Sequence, residues 1–266
     1  MPQGTAGIMC SKNMTQDSIG FASLLKETTK DVHRIVETKA IMKALMKGTL
    51  PLKNYCHLLA GLYRIYNTLE ACLDKHSNHP IVSQFYFKEL YRSESILQDL
   101  KFFNYSQECT CKSVSSICDR IEYLSETAPE GLVAYSYVRY LGDLSGGVFL
   151  AKRVVKVYNL VSDSLGSKFY QFPGIEQGTY FKNLYRSRLD DIPLAFQSLI
   201  LKETIHVFES HGPLFDELLM DCKSKCTLVN PKVVASLKSI GLNQAQAHLA
   251  MGLLTSLIAI GLAIKH

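Results

Sequence analysis

Gly131-Leu-Val-Ala-Tyr-Ser-Tyr-Val-Arg-Tyr-Leu-Gly-Asp-Leu-Ser-Gly-Gly-Val-Phe-Leu150 is the stretch on which the reading of this chain turns. Ala134, Val138, Leu141, Leu144 and Val148 recur at three- and four-residue steps, the period of a helix with one apolar face. The other face carries Arg139, Gly142, Asp143, Gly146 and Gly147. Three glycines so close together cost a helix about 1 kcal/mol each against alanine, and a purely structural helix gains nothing from them. Two explanations remain: another helix packs very close, or a flat ligand lies against bare backbone. The charged pair Arg139 and Asp143 favours the ligand, because a tight helix crossing does not welcome charge. A dinucleotide or phosphate-loop fingerprint is excluded, since it needs a preceding strand and different glycine spacing.

The flanking sequence is helical as well. Leu24, Leu25, Thr28, Val32 and Ile35 step by three and four, as do Leu58, Leu59, Leu62, Ile65 and Leu69. Hairpin dipeptides and sustained alternation are missing. Breakers fall at Gly48–Pro51, His79-Pro80, Ala128–Gly131, Phe172–Gly174, Ile192-Pro193 and Gly212-Pro213. The spacing predicts an all-α, single globular multi-helix domain over residues 21–222. Residues 1–20, with no apolar run, read as a flexible tail rather than a signal peptide.

Composition agrees with this. At 266 residues, 47% hydrophobic and 20% charged, the chain is neither disordered nor collagenous, and it can bury a sizeable core. A net charge of +5 spread along the sequence does not point to nucleic acid, which wants a concentrated basic stripe. Eight cysteines without a secretory leader suggest a reducing compartment. Cys109-x-Cys111 and Cys222-x3-Cys226 are the close pairs; neither has a second pair at zinc spacing, so no structural metal site is expected.

Beyond a Lys-, Ser- and Asn-bearing linker at 223–247 lies an apolar run. Leu249–Ile264 has no formal charge and only Thr255 and Ser256 as polar side chains. Sixteen residues at about 1.5 Å each span about 24 Å, and Ala245–His248 would extend this to membrane thickness. Residues 248–264 are therefore expected to form a C-terminal transmembrane anchor; a buried terminal helix is the alternative.

Two further segments qualify the glycine helix. In Lys26-Glu-Thr-Thr-Lys-Asp-Val-His33-Arg-Ile-Val-Glu37, the residues Lys26, Lys30, His33 and Glu37 share one helix face. Glu37 can hold one imidazole nitrogen of His33 and leave the other for a metal. A solvated face with ordinary ion pairs is the plainer reading of these residues alone. In Phe181-Lys-Asn-Leu-Tyr-Arg-Ser-Arg-Leu189, Lys182 and Arg186 stand four apart and by themselves are a basic surface patch.

Taken in order and spacing, the three segments resemble the eukaryotic heme oxygenases from about Phe21 to Leu219, and the apolar tail resembles their membrane-bound members. The resemblance implies a heme held between a proximal helix, with His33 as axial iron ligand and Glu37 as its partner, and a kinked distal helix approaching the porphyrin at Gly142, Gly146 and Gly147. It gives Lys26, Lys30, Lys182 and Arg186 the heme propionates, and Tyr137 a further heme contact. It makes Asp143, with Tyr66, Arg139 and Tyr140, the polar network that steers oxygen activation through ordered water.

The implied reaction uses heme b as substrate and cofactor. With O2 and NADPH-derived electrons it gives biliverdin, carbon monoxide and ferrous iron. The implied partners are an NADPH–cytochrome reductase, which Lys152, Lys156 and Arg188 would meet, and biliverdin reductase, on the cytosolic side of the endoplasmic reticulum membrane. Tyr135 stands where the family usually has histidine, and Val138 where threonine is common. The missing Cys-Pro pair favours the inducible over the constitutive type. His57, His76, His79, His206, His211, His248 and His266 read as packing or surface residues. A non-catalytic heme-binding or heme-sensing protein on the same fold is the alternative function.

Overall fold

A computed structural model describes residues 20–160, 165–175 and 178–220. Among the described residues there are eight α-helices, short 3-10 turns and no strand, as the periodicity predicts. The helices are α1 Phe21–Glu37, α2 Ala40–Lys47, α3 Leu52–Lys75, α4 Ser93–Phe102, α5 Lys112–Thr127, α6 Leu132–Val157, α7 Gly178–Asp190 and α8 Leu194–Met220.

Two long helices organise the core. Leu58, Leu59, Leu62, Ile65 and Leu69 are all buried, so the apolar stripe of α3 is the one the sequence shows, and α3 packs on α4, α5, α6 and α8. Gly61 permits the close approach of α8: a Cβ there would stand 2.9 Å from Leu218 Cδ2. Helix α8 in turn supports α1, α2, α5 and α6. Helices α1 and α6 thus rest on a common support, with α7 packed against both.

Most breakers fall between helices. Gly48 ends α2 in the left-handed region, at φ 75°, where the Thr49 N–H closes back on the Ala44 carbonyl. Gly212-Pro213 is the exception: α8 runs through it. An interior proline costs a helix about 3 kcal/mol or more. Here His211, Gly212, Leu214 and Phe215 are buried around it, and Lys39, the residue before α2, pairs with Asp216 at 2.6 Å. Packing outweighs the missing hydrogen bond.

The apolar faces of the two outer helices differ from those expected. In α1 the buried residues are Phe21, Ala22, Leu25 and Thr29, while Leu24 and Ile35 are 41% and 59% exposed. In α6, Val148 is 58% exposed and Arg139 is buried. Helix α1 is supported mainly by α7 and α8, so only a narrow seam of it is covered.

Three helices begin without a local side-chain cap and are capped from far away. Asp190 Oδ1 accepts the Ala22 N–H of α1 at 2.8 Å. Glu70 accepts the N–H groups of Arg92 and Ser93 at the start of α4. Glu217 accepts those of Lys112 and Ser113, both at 2.7 Å, at the start of α5. Each carboxylate satisfies orphan donors and meets the positive end of a helix dipole. A half-buried arginine and a buried glutamate tie α5 to α8: Arg120 grips both oxygens of Glu203, with Nε to Oε2 at 3.1 Å.

Among the described residues, no helix is long and apolar enough to cross a membrane. The expected anchor at 248–264, the linker at 223–247 and residues 1–19 of the expected tail lie outside the described residues.

Candidate active site

The glycine-rich stretch lies in the middle of α6, which is continuous from Leu132 to Val157. Gly142 and Gly146 are exposed, and a Cβ built on either meets nothing within 4 Å. Of the two explanations for these glycines, the tight helix crossing is therefore excluded there among the described residues. Gly147 differs from the other two. It is buried, and its Cβ would stand 3.6 Å from the ring of Tyr170. That ring is positioned by Asp99, which accepts the N–H groups of Gly166, Lys168 and Phe169 at 2.7, 2.9 and 2.8 Å. Burial pushes the Asp99 carboxyl up to about 6 despite those three donors.

Behind the open strip lies a polar chain. Tyr66 of α3 donates its hydroxyl to Asp143 Oδ2 and accepts from Arg139 Nε at 3.1 Å. Arg139 also bonds His211 of α8, Nη1 to Nε2 at 2.9 Å, while His211 Nδ1 meets the Val207 carbonyl. A carbonyl only accepts, so Nδ1 carries the proton and Nε2 takes the one from arginine. Burial, helped by the Arg139 charge, lowers the imidazole to about 3, so His211 is neutral.

Asp143 is half-buried. Desolvation pushes its carboxyl up, opposed by Arg139, the Tyr66 hydrogen bond and Arg92. Tyr140 is buried against Tyr66, with ring centroids 6.0 Å apart, and its hydroxyl has no hydrogen-bond partner among the described residues. Tyr135, in the first part of α6, is fully buried with an equally unsatisfied hydroxyl.

His211 and Arg92 were not singled out in the sequence. Arg92 is buried, stacked 3.9 Å from the Phe172 ring, and donates to the carbonyls of Glu89, Leu90, Phe169 and Gln171. Neither has a sequence signal. A histidine four residues after Val207 and an arginine after a tyrosine are ordinary text until the fold brings them beside α6.

His33 lies on the exposed side of α1, its side chain 52% accessible. Its ring meets Phe208 of α8 edge-on at 5.4 Å. Nδ1 is 3.6 Å from Glu37 Oε1, an electrostatic contact longer than a formed hydrogen bond. Lys26 and Lys30 are exposed on the same helix, with Lys30 3.4 Å from Glu27. On α7, Lys182 is half-buried and Arg186 exposed, 3.2 Å from Asn183 Oδ1. The Arg186 charge acts on the Tyr137 phenol of α6, which burial pushes up. So α7 brings its cations to α6, and Asp190 at its end holds the start of α1.

Arg188 does not stand free: it donates to the Gln84 carbonyl and covers the Phe87 ring at 4.6 Å. Lys152 and Lys156 line a cleft of about 900 Å³, together with Val148, Val155, Lys168, Tyr170 and Phe172. His33, Gly142, Gly146 and Asp143 do not line this cleft.

A helix with an exposed imidazole, and a second with bare backbone over a largely buried polar chain, suit a flat, metal-centred ligand. The chain belongs to the heme oxygenase family, whose model matches residues 19–217. Members of that family are oxidoreductases that degrade heme. Heme oxygenase 1 of Synechocystis sp. is 35% identical over 245 residues, 90% of this chain and 99% of that one. Heme oxygenase of Takifugu rubripes is 36% identical, covering 77% of this chain and 76% of its own. Among solved structures, heme oxygenase-1 from Synechocystis sp. in complex with heme gives a TM-score of 0.71 at 35% identity, over 85% of this chain and all of that one. Heme oxygenase from Leptospira interrogans gives 0.71 at 36%, over 75% of this chain and all of that one.

Proposed function

We propose that this chain cleaves heme at a meso carbon, consuming O2 and electrons drawn from NADPH through a separate reductase, to give biliverdin, carbon monoxide and ferrous iron. The observation that carries the reading is the side-chain-free strip at Gly142 and Gly146, with His33 exposed on α1, a helix held by the same α7 and α8 that pack on α6. The residues fit heme in three respects: an imidazole presented outward, a backbone surface clear of side chains, and a buried Tyr140 hydroxyl without a partner among the described residues, suited to water.

His33 would ligate the iron, with Glu37 orienting its ring. Lys26, Lys30, Lys182 and Arg186 would meet the propionates, and Tyr137 the porphyrin. The substrate's iron supplies the site at which oxygen is reduced. The chain supplies proton control. Asp143 is kept ionisable by Arg139, Arg92 and the Tyr66 hydrogen bond, and it passes protons through water, while neutral His211 fixes Arg139 from behind. The alternative, a non-catalytic heme binder, leaves this buried chain without a task.

Reductase docking rests on Lys152 and Lys156, both exposed on α6, more than on the engaged Arg188. Biliverdin reductase is a further partner by chemistry, since it consumes the product. The apolar run at 248–264 supports a tail anchor in the endoplasmic reticulum membrane, with the helical domain cytosolic. Carbonate-resistant membrane association that is lost on removing residues 248–264 tests that part.

For the activity, the protein is loaded with hemin and followed by absorption as reductase and NADPH are added. Decay of the Soret band with a rise in biliverdin absorption is expected. A stable Soret band that His33→Ala shifts would instead establish the binder, and no hemin complex at all would overturn the site.

A further inference from the structure

Cys109-x-Cys111 has no second cysteine pair at zinc spacing in the sequence, but the fold gives it a different partner. His57 of α3 lies against the loop between α4 and α5, and His57, Cys109 and Cys111 are each 1% exposed. His57 Nε2 and Cys111 Sγ are 3.6 Å apart, although 54 residues separate them in the chain. The imidazole nitrogen and both sulfurs all lie within 4.8 Å of one another. We propose that His57, Cys109 and Cys111 form a buried thiolate–imidazole site for a thiophilic cation, zinc(II) in the first instance.

Three observations carry this. The first is distance. A tetrahedral zinc with Zn–N of about 2.0–2.1 Å and Zn–S of about 2.3 Å sets its nitrogen and sulfur ligands about 3.6 Å apart. The present N–S separation is 3.6 Å, so a cation enters with little movement of either group.

The second is the orientation of the ring. His57 Nδ1 is 2.9 Å from the Tyr105 hydroxyl, so the other nitrogen, Nε2, is the one aimed at the sulfur. A ligating histidine is characteristically held in this way, through the nitrogen that does not meet the metal. The third is that the loop is fixed. Arg64, two turns along α3 from His57, donates from Nη1 to the Cys109 carbonyl at 2.6 Å and reaches Ser115 Oγ at 3.4 Å. Both cysteines are therefore held against the helix that carries the imidazole.

Charge selects the ion. Cys109 and Cys111 are not joined in a disulfide. Binding converts two thiols to thiolates and releases two protons, so a divalent cation leaves a neutral buried complex. Copper(I) with the same ligands leaves one net negative charge, which Arg64 would have to balance.

The experiment uses the full chain, reduced, stripped of metal and free of heme, titrated with zinc(II) against a chromogenic chelator. One tight equivalent is expected, with two protons released into weak buffer and two thiols protected from a disulfide reagent. Cobalt(II) should give thiolate charge-transfer absorption in the near ultraviolet. Cys109→Ser, Cys111→Ser and His57→Gln should each weaken zinc at least about 100-fold, and Tyr105→Phe by about 10- to 100-fold. Circular dichroism and hemin uptake report that each variant is folded. A parallel titration with copper(I) separates the two cations; copper bound and zinc refused would overturn the choice of ion.

The other six cysteines are the control. Zinc held equally well by the Cys109→Ser and Cys111→Ser variants overturns the site. So does a folded wild-type chain that takes up neither cation, or one in which Cys109 and Cys111 simply oxidise to a disulfide with zinc present.

Discussion

Tyr66 and Asp143 come from α3 and α6, 77 residues apart, and the phenol of one donates to the carboxylate of the other. The same phenol oxygen accepts from Arg139, so one buried hydroxyl links a buried cation to a half-buried anion. Asp143→Ala is expected to bind hemin within about threefold of wild type while biliverdin formation falls by about 100-fold or more. Tyr66→Phe removes both charge-assisted bonds of that hydroxyl and should lower turnover by at least about tenfold. Hemin titration and single-turnover absorption check both. Unchanged turnover in Asp143→Ala would remove this chain from the reaction.

Gly146→Ala separates stability from function. A Cβ at that position meets nothing within 4 Å, so nothing opposes the usual helix gain of alanine over glycine. The heme-free variant should be more stable by about 0.5–1 kcal/mol and yet bind hemin less tightly. Urea unfolding and hemin titration on the same sample test the pair. A stabilised variant with undiminished hemin affinity would show that the ligand does not lie on this strip.

His211 makes stability depend on pH. Its folded value is lowered to about 3, against about 6.5 for a free histidine. Above pH 6.5 both states are neutral there and the residue adds no slope. Between pH 6.5 and 3 the unfolded chain takes up a proton that the folded chain refuses. Stability therefore falls with falling pH, by at most about 1.4 kcal/mol per unit. In His211→Gln, which keeps an acceptor for Arg139, the decline over this window should be shallower than in wild type. Parallel pH profiles of the urea midpoint would count against a neutral, buried His211.

The Arg120–Glu203 pair makes a purely structural prediction. Glu203 is 1% exposed, so Arg120→Ala strands a buried carboxylate and should cost about 3 kcal/mol at neutral pH. Part of the loss should be recovered in Arg120→Ala/Glu203→Gln, which removes the charge. A double variant no more stable than the single would contradict this account.

The parts legible in the sequence are those governed by local spacing. The stripe from Leu58 to Leu69 and the glycines at 142 and 146 state their own geometry, because helix period and a missing side chain act within a few residues. What escaped comes from long range. Asp190, Glu70 and Glu217 cap helices that begin 168, 22 and 105 residues away, so no capping signature precedes those helices. His211 passed for a packing residue because its partner Arg139 lies 72 positions earlier. Pro213 marked a break that burial around it overrides. Val148, apolar by pattern, is exposed, and Arg139 beneath the open strip is buried.

The hydrogen bond from Ala22 to Asp190 also bears on the order of events during synthesis. Helix α1 carries His33, but its supports, α7 and α8, are the last described elements to leave the ribosome. A nascent chain of 150 residues has its bare glycine strip and His33 and still lacks the two helices, α7 and α8, on which α1 and α6 both pack. The first described helix to be made is therefore the last to be secured, and the proposed heme site cannot assemble on the growing polypeptide until translation has passed α8.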